Sequence, residues 1–474
     1  MRIAYSVETV RTAERELMAR LPDGALMQRA AAGLAAACAD LLGRVYGARI
    51  VLLVGSGANG GDALHAGARL ARRGAGVRAV LLDPDRAHPG GLRALLAAGG
   101  RVDDPSVIRR ADLVVDGITG IGGRGGLRPE AEAALWAIPD AVPVVAVDLP
   151  SGVSADTGEV VGEAVRADAT VTFGAYKPGL LIDPAAEYAG AVRLVDIGLD
   201  LPAVPELEAL QYADVAALLP KPAAESDKYR RGVIGIAAGS ARYPGAAVLA
   251  VAGALHGGAG AVRYTGPAAD AVIARFPETL VHSGPPSKAG RVQAWVVGPG
   301  IGDDTSAVDD VLASDVPVLV DADGLRLLDA AAVRDRPAPT LLTPHAGEAA
   351  ALLGVSREEV EGARLASVRA LATRYGATVL LKGSTTLVAS PSGDVPVRVN
   401  PTGTPWLATA GSGDVLSGLA GSLLAAGLEA RDAGSVAAYL HGLAARQASG
   451  GAGVAAQDVA GGIAGAWRDV CRER

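Results

Sequence analysis

The stretch "VLLVGSGANGGDALHAGARLARRG", residues 51–74, decides how the first half of the chain folds. An apolar run enters a turn in which Gly55, Gly57 and Gly60 spell G-x-G-x-x-G. Apolar residues then recur at helical spacing until Gly74. A strand, a tight turn and a helix N-terminus make an anion site, because free N–H groups and the helix dipole point at the ligand. Asp83, at the end of the next strand, stands about where a dinucleotide-binding crossover keeps its ribose-binding carboxylate. Asn59 and Asp62 fit that reading poorly, since a carboxylate is an odd neighbour for a pyrophosphate. Asp62 has a bland alternative as a helix cap.

Outward from this loop, short β-branched runs alternate with Ala- and Leu-rich helical stretches. The pattern predicts βαβ crossovers and a mostly parallel sheet. "GVRAVLLDPD" (from Gly76), "ADLVVDGITG" (from Ala111), "VPVVAVDLPSG" (from Val142), "ATVTFGA" (from Ala169) and "AVRLVDIG" (from Ala191) are strands running into loops. Their ends are rich in Gly, Asp and Ser, and the carboxyl ends of parallel strands are where open α/β sheets bind ligands. Asn59, Asp116 and Ser151 are hard oxygen donors, suited to a monovalent or divalent cation. The Gly-rich segment after Asp116 is able to wrap a phosphate.

From about Asp200 to Arg231 the chain is Pro-rich and polar, which predicts a linker. A second strand–loop–helix series follows. In "TAGSGDVLSG" (from Thr409), Gly411 and Gly413 let N–H groups approach a phosphate. Asp414 is either a helix cap or a base beside that phosphate; no Lys-Ser/Thr follows, so this is not a Walker loop. "LLKGSTTLV" (from Leu380) sets a lysine and hydroxyls in a turn, suited to a nucleotide or equally to a solvated hairpin. "LLTPHAGEAAALL" carries His345 and Glu348 to a strand end. "VDADGL", with Asp321 and Asp323, positions a metal–phosphate complex or caps a helix.

Composition narrows the field. The 474 residues carry a formal charge of −7, and 3% are aromatic, which argues against nucleic acid as a partner. The two cysteines, Cys38 and Cys471, make no disulfide framework and no metal-ligand spacing. The N-terminus shows no signal peptide, and Gly, Arg or Asp interrupt every apolar run before the ~18 residues a spanning helix needs. A cytoplasmic chain with no membrane partner is expected.

Four ordered motifs, "GSGANGGDALHAGARL", "DGITGIGGRG", "VDLPSGVSADTG" and "TFGAYKPGLL…AVRLVDIGL", resemble the NAD(P)H-hydrate epimerase domain, over residues 1–210. The resemblance implies a Rossmann-like doubly wound sheet whose ligand is NAD(P)H hydrated at C6 of the nicotinamide ring. It implies a potassium ion held by Asn59, Asp116 and Ser151. Substrate contacts would come from Ala58, Asn59, Gly60, Gly61 and Asp62, and from Gly120, Ile121, Gly122, Gly123, Arg124, Gly125 and Gly126. Asp148 would bind substrate and act as the acid/base group. Ala58 stands where that family usually has Asn, and Ala63 where it has Gly, which bears on the strength of substrate binding.

Residues 227–474, after a linker at 211–226, resemble the ADP-dependent NAD(P)H-hydrate dehydratase domain, a ribokinase-like α/β fold. "VVGPGIG", "VDADGL", "LTPHAGE", "LKGSTT", "NPTG" and "ATAGSGDVLSGLAG" carry the likeness. It implies phosphorylation of the C6 hydroxyl of the S hydrate by ADP with Mg²⁺, and elimination of phosphate, leaving AMP. Lys382, Gly383, Ser384, Thr385, Thr386 and Gly413 would hold the nucleotide. Ala246, Gly302, His345 and Asp414 would contact the hydrate, with Asp414 as base. Ala346 and Ser412 depart from the usual motif without removing a charge. A homo-oligomer is expected. The competing readings are a dehydrogenase fused to a small-molecule kinase, and a first domain that only binds cofactor.

Overall fold

The computed structural model describes residues 1–123 and 125–472. The chain divides into two compact units: Ile3–Glu206, and Leu207–Arg474 together with Met1–Arg2.

The first unit is built on a seven-stranded parallel sheet. Its strands lie in the order Arg101–Val102, Gly76–Leu81, Arg49–Val54, Leu113–Gly117, Val144–Val147, Ala169–Phe173 and Ala191–Val195. Arg49–Val54 is an almost unbroken apolar run because a central parallel strand is covered on both faces. One face is packed by helices Ala25–Leu42 and Ala58–Arg72, the other by Pro129–Trp136. Strand order reverses on either side of Arg49–Val54, the position at which doubly wound sheets open a crevice.

Helix Ala25–Leu42 corrects one expectation. It is 18 residues long with a mean hydropathy of 1.2, long and apolar enough by those measures to cross a membrane. Its alanines raise the hydropathy, while Ala31, Leu34 and Cys38 are buried in the core.

The second unit carries a sheet running Leu280–His282, Ala261–Thr265, Val233–Ala237, Ala294–Val297, Val318–Val320, Thr340–Leu342, Thr378–Leu381, Thr386–Ala389, Val397–Asn400 and Leu207–Ala209. These ten strands pair in parallel except at Thr386–Ala389, which is antiparallel to both of its neighbours. Helices Pro244–His256, Ser412–Ala425, Ala430–Ser449 and Ala456–Arg472 bury its main core. Two of them approach so closely that a Cβ at Gly253 would strike the Val415 carbonyl and one at Gly418 the Ala250 carbonyl.

Part of the expected linker is ordered structure of this unit. Leu207–Ala209 pairs with Val397–Asn400, and Tyr212–Leu218 is a helix with a capping box between Gln211 and Asp214. Val215, Ala216 and Leu219 are core residues. The Pro-rich surroundings hid a seven-residue helix whose buried face is only a few residues wide.

Candidate active sites

The three glycines of the opening fingerprint do three different jobs. A Cβ at Gly55 would collide with the Ile118 carbonyl, so the turn presses directly on the neighbouring strand end. Gly57 has φ +95°, a conformation that L side chains rarely adopt, and caps helix Ala58–Arg72 without a side chain. A Cβ at Gly60 would strike the Gly55 carbonyl. Asp62 is therefore not the cap; it lies one turn inside the helix, buried.

Above this turn opens a cleft of about 680 Å³, whose wall includes Ala58, Asn59, Asp62, Gly120, Ile121, Gly122, Gly123, Gly125, Gly126 and Asp148. Gly60 and Gly61 are buried behind the wall, Gly61 against Met27 and His88. Arg124 lies outside the described residues.

Asp116 and Ser151 meet at adjacent strand ends. Ser151 donates through its hydroxyl to Asp116 Oδ1 (2.6 Å) and through its N–H to Oδ2 (2.8 Å), and Ile118 N–H donates to Oδ1 (3.2 Å). Complete burial pushes the Asp116 carboxyl up to about 6, against the pull of those hydrogen bonds. Asn59 turns its amide oxygen toward Gly120, and its amide nitrogen is buried without a partner among the described residues.

Asp148 stands just past strand Val144–Val147 with φ +67°, in the left-handed region. Its Oδ1 accepts from Thr172 Oγ1 (3.0 Å), Phe173 N–H (3.3 Å) and Lys177 Nζ (2.5 Å). Lys177, 1% exposed, is a site residue the sequence reading passed over. It stood inside the quoted "TFGAYKPGLL", but its partner lies on another strand. Also unforeseen are Arg11 and Glu14, which helix Val7–Met18 contributes to the cleft wall. Burial, and then repulsion from Asp148 and Glu14, hold the Asp62 carboxyl well above the usual range; burial and Asp148 also raise Glu14.

The second unit repeats the theme with a different wiring. Asp321, buried beyond strand Val318–Val320, accepts from Lys382 Nζ (2.7 Å) and Ser417 Oγ (2.7 Å). Lys382 also faces Glu348 at 3.6 Å. Burial disfavours its ammonium, but Asp321, Glu348 and Asp414 outweigh that and raise its pKa. Asp414 is the third residue of helix Ser412–Ala425, which is capped by Gly411 at φ +86°, so Asp414 is not the cap. Burial, with Asp321, Asp323 and Glu348 adding to it against Lys382, pushes Asp414 up to about 7. His441, fully buried beneath the Gly-rich loop against the Ser412 carbonyl (2.9 Å), is pushed down to about 4 by burial.

His345 caps helix Ala346–Leu353 and shares a capping box with Glu348 (2.7 and 3.1 Å), while its own side chain stays largely exposed. Asp323 Oδ2 accepts from Gly302 N–H (2.9 Å), and Ala246 packs against Gly300 of the same loop. Gly383 and Ser384 are exposed at a turn. Thr385 and Thr386 are buried, and the Thr386 hydroxyl donates to the Gly383 carbonyl (3.2 Å). That turn rests on Arg364, whose guanidinium donates to the carbonyls of Leu381 (3.3 Å), Lys382 (3.0 Å) and Thr385 (3.2 Å). Nothing in the sequence marked Arg364, which lies in an ordinary amphipathic helix.

Known proteins align with both halves. The family profile described as YjeF-related protein N-terminus matches residues 23–179, and that of NAD(P)H-hydrate dehydratase matches residues 234–463. The bifunctional NAD(P)H-hydrate repair enzyme Nnr of Mycobacterium leprae is 52% identical over 456 residues, covering 94% of each chain. The chain belongs to the bifunctional NAD(P)H-hydrate repair enzymes. The family's Mycobacterium tuberculosis member is 51% identical, covering 91% of each chain. Among solved structures, the ADP/ATP-dependent NAD(P)H-hydrate dehydratase from Bacillus subtilis, co-crystallised with ATP and Mg²⁺, is 29% identical. It covers 55% of this chain and 97% of its own, with a TM-score of 0.50. A ribokinase-like superfamily protein from Enterococcus faecalis, 20% identical with a TM-score of 0.50, shares the fold of the second half.

Proposed function

We propose that the two sites act in succession on hydrated NAD(P)H. The enzyme epimerises the C6 hydrates in its first unit and dehydrates them at the expense of a nucleotide in its second. This family assignment displaces the dehydrogenase–kinase alternative. The observation that carries the division of roles is Asp414. It stands in the first turn of a glycine-capped helix, beside the Lys382–Asp321 pair, with a carboxyl poised at about 7. A group so poised takes a proton from a hydroxyl near neutral pH.

In the second unit, Asp414 removes the C6 hydroxyl proton as that oxygen bonds to the terminal phosphorus of ADP and AMP departs. Phosphate is a far better leaving group than hydroxide. The ring nitrogen then expels it, and loss of a C5 proton restores the dihydropyridine. Lys382, with Gly383 and Ser384 at the turn and Gly413 at the start of helix Ser412–Ala425, fits phosphate oxygens, while Thr385 and Thr386 shape the turn. Ala246, Gly302 and His345 would face the hydrate. Among the described residues no three carboxylate or imidazole groups close on one point. Asp321, Asp323 and Glu348 would face a metal brought in on the nucleotide phosphates, where Mg²⁺ would neutralise charge.

In the first unit Asp148 is the acid/base group, held by Lys177 and Thr172. Asn59, Asp116 and Ser151 would hold K⁺. All three are hard oxygen donors, and Asn59 turns its amide oxygen toward Gly120 in the cleft wall. A bound cation would supply positive charge beneath the cleft. We place the enzyme in the cytoplasm, in keeping with its two free cysteines. Its assembly as a homo-oligomer is checked by light scattering.

The test is incubation with mixed hydrates, following recovery of dihydronicotinamide absorbance. Complete recovery with ADP and none without it supports the scheme; recovery without nucleotide refutes it.

A further inference from the structure

Asp62 has a buried carboxyl that the folding of its helix does not use. Helix Ala58–Arg72 is capped by Gly57 without any side chain. Asp62 is only 9% exposed, lines the cleft with Asp148, and has an Oδ1 with no hydrogen-bond partner among the described residues. Buried polar atoms are almost always paired, so an unpaired one on a residue of the cleft wall marks a place where a ligand completes the bond. We infer that Asp62 is the proton donor to the departing C6 hydroxyl in epimerisation, working opposite Asp148. The assignment rests on the epimerase reading of the first unit.

The surroundings favour a carboxylic acid here over a carboxylate. From helix Val7–Met18 come Glu14 and Arg11, and from a strand end Asp148; Asp83, Arg86, Arg128 and Glu130 add to the charged wall, Lys177 lies buried against Asp148, and His88 packs on Gly61. The one buried cation among them, Lys177, is bound to Asp148 at 2.5 Å. Arg11 reaches the Ile121 carbonyl at 3.5 Å. Asp62 is left with burial and two like charges, Asp148 and Glu14, which keep the proton on it.

The step balances. The ring nitrogen lone pair forms a C=N bond as the C6–O bond breaks, and the hydroxyl leaves as water with the Asp62 proton. A water adds to C6 from the other face, its oxygen bonding to carbon and its proton passing to Asp148, while the C=N electrons return to nitrogen. Proton exchange with solvent resets both carboxyls. Two groups on two faces are what an inversion by departure and return requires.

The experiment measures interconversion of the purified hydrates by the full-length enzyme in heavy-oxygen water, for wild type and Asp62→Asn. Wild type is expected to take up one heavy oxygen per inversion, with kcat falling as pH rises through the Asp62 titration. Asp62→Asn keeps shape and a hydrogen-bond donor. It should lose about 10²–10⁴ in kcat, change KM for the hydrate by less than about threefold, and lose the alkaline limb. Inversion that retains the original oxygen, by ring opening, overturns the assignment even if the variant fails to fold. So does a folded Asp62→Asn with wild-type kcat. A wild-type enzyme that dehydrates but never epimerises overturns the reading beneath it, a distinguishable result.

Discussion

Each sheet ends in a lysine bound to an aspartate, Lys177–Asp148 in the first unit and Lys382–Asp321 in the second, yet the lysines are spent differently. In the first unit the lysine compensates the aspartate assigned to the chemistry. In the second it compensates a neighbour, and Asp414 beside it is left facing Asp321, Asp323 and Glu348 with its carboxyl pushed up to about 7. A lysine's position thus sorts carboxylates within a site into charge-balanced groups and groups that carry a proton near neutrality.

The comparison breaks most visibly if the sites are not separable. Asp414→Asn should lose about 10²–10⁴ in dehydration rate with epimerisation intact, and Asp148→Asn should do the reverse. Assaying each purified epimer with and without ADP checks both. Next, Lys177→Met leaves a buried carboxylate uncompensated and should lower the stability of the first unit by about 3–5 kcal/mol, read as an earlier thermal transition. The double variant Lys177→Met/Asp148→Asn should recover much of that loss.

The pH dependence sharpens the contrast. Asp414 must be ionised to act as base, so dehydration should fall about tenfold per pH unit well below 7. Its raised carboxyl has the opposite effect on stability: the contribution is complete below the unfolded carboxyl pKa and is lost as pH rises through about 7. Asp414→Asn should therefore melt higher than wild type at pH ~8, and the gap should close toward pH ~4. A smaller effect is expected at Arg364→Met. It removes donors from three carbonyls beneath the nucleotide turn and should raise KM for ADP about tenfold, at a cost of ~1–3 kcal/mol. The smallest is Ala58→Asn, which restores one side-chain hydrogen bond and should lower KM for the hydrate by no more than about tenfold.

The sequence carried the two α/β sheets because buried parallel strands write themselves as apolar runs ending in Gly and Asp. The same rule brought Asn59, Asp62, Asp116, Asp148 and Ser151 to one end of the first sheet. Partnerships across strands were not legible. Lys177 pairs with a residue 29 positions away, and Lys382 with one 61 positions away. No local pattern encodes either distance. Glu14 and Arg11 escaped for a related reason: their helix is amphipathic and ordinary, and only its docking turns one polar edge into a cleft. The strand and helix after Leu207 were too short to show a period among prolines.

Asp148 and Ala322 are the two non-glycine residues of positive φ among those described, and each stands just past the end of a central strand. At Asp148 this limits mutational drift. Asn and Gly tolerate the left-handed region, whereas alanine or a β-branched residue would strain the backbone as well as delete the carboxyl. An alanine scan would thus confound geometry with chemistry at this position. Over evolutionary time the neutral paths out of Asp148 run through Asn or Gly, and descendants that have lost the activity should carry one of them there while keeping the fold.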